Sequence, residues 1–313
     1  MKDNVHILIT CDVDPTPEAS IGEKTRAVKK SAELFAQYGI HATYFWVAKV
    51  ISEYGSLPGM LAEQGHEIGC HGLTHEEEEE FSIMPESKQR NILREATSLL
   101  EQAGVAPVHS FRGPRVKISH ITHKVLAELG YTADSSVCSQ RIDFVSSNLI
   151  NPQWITAPRL PYHPSRKSAF RRGDVPLTEV PVSAAVLPFV SGSLYTFGLS
   201  WMKFFFSMLY RESCVTGKPI VYLLHPAEFA SKDLGKRRDY RIRVEGFSFR
   251  RSALLFEPDV EKRYDLNDKL FSFIAGHKNV TFLTMKEFTD TYEHQRFKQS
   301  RKVAQQHVKD QPS

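Results

Sequence analysis

Short apolar runs of strand character alternate with amphipathic helical segments along most of the chain, and the helical segments tend to end at a glycine. Repeated βα units of this kind form a parallel sheet with helices packed outside it. Seven or eight such units in one chain predict a (β/α) barrel, an α/β fold that forms a single domain. The strand-like runs are VHILIT (5–10), ATYFWV (42–47), HEIGC (66–70), VHSFR (108–112), YTADSS (131–136), LTEVPV (177–182), PIVYLLH (219–225) and VTFLT (280–284).

The pattern predicts one barrel domain over residues 1–293 and a polar, basic carboxyl-terminal tail over residues 294–313. It is interrupted between residues 137 and 176 by a long proline-rich excursion that includes LPYHPSRK. Long loops inside compact domains are usually functional or disordered. The excursion is therefore a candidate substrate contact, through His163 and its basic residues. An ordinary solvated surface loop accounts for the same residues at least equally well.

Composition excludes several classes of function. A formal net charge of +4 is too small to indicate a nucleic-acid partner. The amino terminus has no apolar h-region, which predicts a cytoplasmic protein, and four scattered cysteines predict reduced thiols. The apolar segment 184–210 is interrupted by a proline, two glycines and a lysine, so a buried helix over about 199–211 is favoured over a transmembrane span. Peripheral contact of this segment with a membrane and the oligomeric state are left open.

Chemically capable side chains follow several strand-like runs at the point where each run ends. In a (β/α) barrel, the carboxyl ends of the strands meet at one mouth, where the active site lies. We therefore expect these side chains to lie close together. They are Asp12 and Asp14 after the first run, His71 and His75 after the third, Arg112 after the fourth and His225 after the seventh.

Asp14, His71 and His75 form a candidate site for a divalent cation. Two histidines four residues apart can present both imidazoles to one ion if a helical turn begins there, and a carboxylate can complete the set. Taken singly, the aspartates are explained as turn or cap residues and the histidines as unrelated. Their delivery to one mouth favours the metal site. The glutamates that follow His75 are expected to be the solvated first turns of a helix, and His66, which precedes its strand, belongs to the opposite end of the barrel.

The ordered motifs TCDVD, HGLTH, FRGPR and LLHP resemble those of the NodB-type polysaccharide deacetylases of carbohydrate esterase family 4. The segments TEVPVS and VTFLTMKEF are similar to counterparts in that family. The resemblance covers most of residues 5–290. It implies a deformed (β/α)7–8 barrel and metal-dependent hydrolysis of N-acetyl groups.

The resemblance also implies roles for individual residues. Asp12 would be the general base, Arg112 would orient it and keep it ionised, and His225 would be the general acid. The metal ligands would be Asp14, His71 and His75, and the substrate pocket would include Leu223 and Pro114.

Two departures from the family pattern matter. Asp12 and Asp14 are separated by Val13, a D-x-D form that the resemblance links to intracellular or less typical members, some of which open cyclic amides. The usual aspartate-tryptophan motif is not evident, so the carboxylate that tunes the histidine acid is sought elsewhere, with Asp134 and Glu179 as candidates.

We therefore predict a metal-dependent N-deacetylase that acts on an amino sugar of a polysaccharide, oligosaccharide or glycan precursor. Two histidines and one carboxylate suit zinc best and also accept cobalt, nickel, manganese or iron. One alternative is a metal-dependent amidase or cyclic-imide hydrolase acting on a non-sugar substrate. A second, less favoured because both the base and the acid are present, is a non-catalytic carbohydrate-binding relative.

Overall fold

A parallel sheet of eight strands forms the centre of the protein in the computed structural model, which describes residues 4–105, 107–141, 151–231, 241–244, 247–250 and 259–309. The strands are β1 (Val5–Val13), β2 (Thr43–Trp46), β3 (Glu67–Cys70), β4 (Ser110–Phe111), β5 (Ala133–Asp134), β6 (Pro164–Ser165), β7 (Ser168–Arg172), β8 (Thr178–Glu179), β9 (Ala184–Ala185), β10 (Leu187–Pro188), β11 (Ile220–Leu224), β12 (Arg241–Val244), β13 (Phe247–Arg250) and β14 (Val280–Phe282). The helices are α1 (Ile21–Ala36), α2 (Leu57–Glu63), α3 (Glu86–Gln102), α4 (His120–Glu128), α5 (Gln153–Thr156), α6 (Ser191–Thr216), α7 (Val260–Ala275) and α8 (Met285–Lys309).

The strand order is β11-β1-β2-β3-β4-β5-β8, and β14 also pairs with β1. Every pairing in this sheet is parallel, as the βα pattern predicts. Between β8 and β11 the sheet is joined by the segment that follows β8: Ser183 and Val221 exchange hydrogen bonds, and Val190 bridges to Leu223. The result is the predicted deformed (β/α) barrel, closed on one side by irregular chain.

The core consists largely of apolar strand residues and the inner faces of the helices. Strand β1 runs through its centre and is buried along nearly all of its nine residues. A strand covered on both faces is expected to be a continuous apolar run, which is how VHILIT reads. The polar exceptions near its end, Thr10 and Asp12, are buried as well, and they belong to the candidate site described below.

Helix α8 lies across the amino-terminal ends of the strands. The backbone N–H of Met285 donates to the Thr43 hydroxyl (2.8 Å) and that of Lys286 donates to the Glu67 carboxylate (2.9 Å). Thr43 and Glu67 are the first residues of β2 and β3. The helix continues to Lys309, past the predicted boundary at residue 293. The division of the chain at that point stays a prediction.

Helix α6 extends the helix predicted over 199–211 in both directions, to Ser191–Thr216. It changes direction at Gly198, whose φ of 80° is in the left-handed region that favours glycine. Among the described residues, no helix combines the length and apolarity needed to cross a membrane.

His66 is a structural residue whose neutral form the fold requires. Its Nδ1 accepts a hydrogen bond from the backbone N–H of Ala42 (3.0 Å), and only 7% of the residue is exposed. Burial, with a smaller contribution from His41, lowers the pKa of His66 to about 4.

We predict that this histidine makes the fold acid-sensitive. The unfolded chain binds the proton of His66 more tightly than the folded protein does. The contribution of neutral His66 to the free energy of unfolding is therefore complete above pH 6.5, and on the order of 2 kcal/mol is lost as the pH falls toward 4. Urea unfolding of the wild type and of His66→Asn, whose amide oxygen can accept the same hydrogen bond, measures it. In the variant, the free energy of unfolding should fall less steeply with decreasing pH than in the wild type. Substitution of the exposed His120 should leave this dependence unchanged. The same dependence in all three proteins would contradict the prediction.

Candidate active site

The end of β1 delivers two carboxylates to the mouth of the barrel. Asp12 is the penultimate residue of the strand and Asp14 follows its end. Successive strand residues point to opposite faces, so residues two apart share one. Asp12 is 4% exposed, and its Oδ1 accepts a hydrogen bond from Nη1 of the buried Arg112 (2.8 Å). This ion pair holds one oxygen of Asp12 and leaves the other directed toward the histidines.

Asp14, His71 and His75 converge on one point, as predicted. Oδ1 of Asp14 lies 3.3 Å from Nε2 of His71 and 3.7 Å from Nε2 of His75. This oxygen is buried, and no donor among the described residues meets hydrogen-bond geometry with it. Buried polar atoms are nearly always satisfied. An orphaned carboxylate oxygen facing two imidazole nitrogens therefore fits a bound cation.

His71 is oriented by the strand next to it. Its backbone N–H continues the ladder to Trp46 (2.8 Å), and its Nδ1 donates to the backbone carbonyl of Arg112 (2.7 Å). A histidine whose Nδ1–H is occupied in this way presents the Nε2 lone pair to a metal. The sequence placed His71 at a strand end but contained no sign of this partner.

His75 reaches the site from an irregular turn, so a helical turn is not what brings the two imidazoles together. Its φ is 63°, and α3 begins only at Glu86. The prediction that all the following glutamates are solvated is wrong for Glu79, which is 3% exposed. The Glu79 carboxylate accepts the backbone N–H groups of Leu73 (2.6 Å), Thr74 (2.6 Å) and His75 (2.9 Å). These bonds set the path of the chain between His71 and His75.

The FRGPR segment supports the same loop from outside. Arg115, which also has a positive φ, donates to the backbone carbonyls of His75 (3.2 Å) and Glu79 (3.3 Å). Pro114 is buried against Gly72, where an added Cβ would lie 2.8 Å from Pro114 Cγ and 2.4 Å from Glu79 Oε1. Only glycine fits at residue 72. Pro114, predicted to contact substrate, thus packs against the loop that joins His71 to His75.

We predict that Glu79→Gln weakens metal binding about 10- to 100-fold, the usual cost of losing a residue that positions ligands. The amide keeps the size of the side chain but loses its charge and half of its acceptor capacity. Competition titration with a zinc chelator measures the change. The exposed Glu78 in the same run provides the matched control, Glu78→Gln, which should bind zinc as the wild type does. Equal affinities for both variants would show that the loop does not need the carboxylate.

His225 follows β11 and faces the same point from the other side. Its Nε2 lies 3.8 Å from Oδ2 of Asp14, and its Nδ1 lies 3.2 Å from Oε1 of Glu228. The prediction that Asp134 or Glu179 tunes this histidine is wrong. A short 3-10 turn, Pro226–Phe229, returns the chain so that a glutamate three residues on meets the ring.

Glu228 is itself held by a buried polar network. Oε1 accepts the hydroxyl of Ser191 (2.8 Å) and Oε2 accepts that of Tyr195 (2.9 Å), both from the start of α6. Asn267 of α7 donates to the Tyr195 oxygen (2.8 Å). The position of this carboxylate is therefore defined by two helices. In the sequence, Glu228 follows His225 by only three residues in LLHPAEF, and the sequence-based prediction did not identify it as the partner of this histidine.

Asp134 and Glu179 instead bind a different histidine. Nε2 of His123, on α4, lies 2.8 Å from Asp134 and 3.4 Å from Glu179, and all three residues are fully buried. Asp134 and Glu179 are Cα partners across β5 and β8. The second oxygen of Glu179 accepts the backbone N–H groups of Ser136 (3.2 Å) and Val137 (3.0 Å). The cluster could hold a cation by geometry, but its hydrogen bonds already join α4 to both strands.

Leu223, predicted to line the substrate pocket, lies on the face of the sheet that carries Asp12. It is the Cα partner of Thr10 on β1, and partners in a parallel pair share a face of the sheet. Since the Thr10 hydroxyl accepts from Arg112 (2.9 Å), this is the face that carries Asp12. Leu223 therefore lies directly beneath His225.

His163 is not brought to this group. Its Nε2 contacts the Glu293 carboxylate of α8 (2.8 Å), and α8 begins at the amino-terminal ends of the strands. Other residues of the excursion also have local partners: Arg166 pairs with Asp174 (3.0 Å) and Arg172 lies over the Tyr162 ring (6.0 Å). Residues 142–150 of the excursion lie outside the described residues.

The amino-terminal part of the chain is similar to a known protein family. The family model described as "Polysaccharide deacetylase" matches residues 2–133, which include the two aspartates, the two histidines and Arg112 but not His225. A peptidoglycan deacetylase of Helicobacter pylori is 27% identical over 111 residues. That match covers 35% of this chain and 36% of the relative.

Solved structures share the fold across nearly the whole chain. A putative polysaccharide deacetylase from Mycobacterium smegmatis has a TM-score of 0.63 at 18% identity, with 94% of this chain and 91% of that one covered. A probable polysaccharide deacetylase from Pseudomonas aeruginosa PAO1 has a TM-score of 0.59 at 13% identity, with 93% and 92% covered. PuuE allantoinase also has a TM-score of 0.59, at 15% identity, with 93% and 91% covered.

Proposed function

We propose that this chain is a member of the polysaccharide deacetylase family, whose model matches residues 2–133, and that it is a metal-dependent hydrolase that removes the N-acetyl group from an amino sugar. The observation that supports this most is that Asp14, His71 and His75 meet at one point, with the Asp12 carboxylate 3.8 Å from His71 and the His225 imidazole 3.8 Å from Asp14. An amide hydrolase needs these three functions: polarisation of the carbonyl, activation of water and protonation of the leaving amine.

Asp14, His71 and His75 would hold the cation. When bound, the cation supplies Lewis-acid polarisation of the amide carbonyl and lowers the pKa of a coordinated water. One carboxylate oxygen and two imidazole nitrogens suit zinc, and the same donors accept cobalt, nickel, manganese or iron.

Asp12 is the general base in this proposal. Its Oδ1 is held by a hydrogen bond from Nη1 of Arg112 (2.8 Å). Its Oδ2 lies 3.8 Å from Nε2 of His71 and so points toward the cation-binding set. This is the oxygen that would accept a proton from the attacking water.

We predict that Asp12→Asn lowers kcat by about 10²- to 10⁴-fold, the usual contribution of a general base, and that it leaves metal content unchanged. The change removes the basic oxygen without removing a ligand. Acetate release from N-acetylated sugars and elemental analysis of the same samples measure the two effects, and His75→Ala, which should lose both, is the comparison. Full activity of Asp12→Asn would eliminate this residue as the base.

His225 is the general acid in this proposal. Burial alone would lower its pKa, but the hydrogen bond to Glu228 and the charges of Asp14 and Glu228 raise the pKa to about 9. The Glu228 carboxylate therefore favours the protonated imidazole. With Nδ1 directed to Glu228, Nε2 faces the mouth and can donate its proton to the leaving amine.

We predict that Glu228→Gln moves the alkaline limb of kcat/KM to lower pH. A general acid is active only while it is protonated, so activity falls as the pH rises through the pKa of His225. Removing the anionic partner lowers that pKa. Profiles of kcat/KM against pH for wild type and variant measure the shift. Ser191→Ala, which leaves the Glu228 charge in place, should move the limb less. Superimposable limbs would show that the carboxylate does not tune the acid.

A metal-dependent amidase acting on a cyclic, non-sugar amide is the second candidate. It would use every residue above and differ in the pocket, and the fold is as similar to PuuE allantoinase as to the Pseudomonas deacetylase. A substrate panel of N-acetylated sugars, sugar nucleotides and cyclic amides distinguishes the two. Turnover of a cyclic amide alone would eliminate the sugar assignment and leave the site intact.

A further inference from the structure

One side of helix α6 presents large apolar residues to solvent. Trp201, Phe204 and Met208 follow one another at intervals of three and four residues, the spacing of a single helical face, and Phe197 lies just before the change of direction at Gly198. Phe197 is 44% exposed, Phe204 62% and Met208 41%, and the rings of Phe197 and Trp201 are 5.1 Å apart. We call these four residues the apolar face of α6. Contiguous exposed apolar residues mark sites of interaction on soluble proteins.

The apolar face begins beside the candidate active site. The first residue of α6, Ser191, donates to Glu228, which contacts His225. Gly198 then turns the helix just after Phe197. The face therefore runs from the mouth of the barrel along its outer side.

A further apolar residue lies near the same end of the barrel. Val186, in the turn between β9 and β10, is 59% exposed and has a φ of 66°. A β-branched residue in this region is strained and persists only where surrounding contacts impose it. Its backbone N–H donates to the carbonyl of Gln140 (3.1 Å).

Helix α6 has a formal net charge of +1, from Lys203, Arg211 and Glu212. Residues 191–211 contain two basic residues, Lys203 and Arg211, and no acidic residue. The next residue, Glu212, is neutralised by Arg159 (2.5 Å) and Lys218 (3.3 Å). Aromatic and aliphatic side chains combined with basic residues match an anionic lipid surface, where the apolar groups insert and the cations meet headgroup phosphates.

We propose that the apolar face of α6 docks on an anionic phospholipid bilayer and brings the mouth of the barrel to an N-acetylated amino sugar carried on a lipid. The choice of substrate rests on the proposed function, whereas the docking does not. A sugar attached to a lipid lies at the headgroup level, within reach of a mouth that adjoins a docked helix.

Flotation with phospholipid vesicles tests the docking. The wild type should bind vesicles that contain phosphatidylglycerol and bind phosphatidylcholine vesicles less. Phe204→Glu should lower the partition coefficient about tenfold or more, because it replaces an inserting ring with a charge that the headgroups repel. Phe297→Glu is the matched control, since Phe297 is equally exposed (62%) but lies on α8; it should bind as the wild type does. Met208→Asp provides a second variant, and thermal unfolding shows that each is folded.

A second assay separates docking from catalysis. Phe204→Glu should retain turnover of a water-soluble N-acetylated oligosaccharide. It should lose turnover of an N-acetylated sugar that is linked through a diphosphate to a lipid in vesicles. Asp12→Asn should bind vesicles normally and turn over neither substrate. If the wild type hydrolyses no amide while vesicle binding depends on Phe204, the proposed function fails and the docking stands.

Three results would overturn the docking itself. They are no binding of the wild type to anionic vesicles, equal binding by Phe204→Glu, and a self-associated wild type that Phe204→Glu converts to a monomer. The last would identify the face as a contact between copies of this chain.

Discussion

The buried guanidinium of Arg112 is the interaction on which the rest of the site depends. The residue is fully buried, and its donors are used by Thr10, Asp12 and the backbone and hydroxyl of Ser135. A buried charge is tolerated only when it is paired and hydrogen-bonded throughout. Because its backbone carbonyl also accepts Nδ1–H of His71, one residue sets the position of both the proposed base and a proposed ligand.

Around this rigid centre, two of the proposed functional side chains are carried by turns. His75 and His225 both lie beyond the ends of their strands, and each is positioned by a buried glutamate, Glu79 for the first loop and Glu228 for the second. A carboxylate that accepts several donors can hold a loop nearly as firmly as a ladder holds a strand, because each added hydrogen bond removes one way for the loop to move. The strand ends thus bring the two histidines to the mouth of the barrel, and the glutamates fix the positions of their loops there.

Much of this arrangement could be predicted from the sequence. The parallel barrel followed from the alternation of strand and helix patterns, and Asp12, Asp14, His71 and Arg112 followed from their positions at strand ends. The predictions that failed concerned loops. The partner of His225 was sought on β5 and β8, whose carboxylates are used by His123, because a turn that returns a residue three positions later has no periodic signal. The contact of His163 with α8 joins residues far apart in the chain.

The sequence by itself determined the fold and the edge of the sheet at which the chemistry collects, because the period of apolar residues and the end of a strand are local properties of the chain. Only the tertiary structure decided which carboxylates serve the histidines, that Glu79 is buried rather than solvated, and that the apolar residues of α6 divide between the core and an exposed face beside the mouth. These depend on how loops return and how helices pack, which is set by contacts between segments distant in sequence. Single-sequence patterns do not record such contacts.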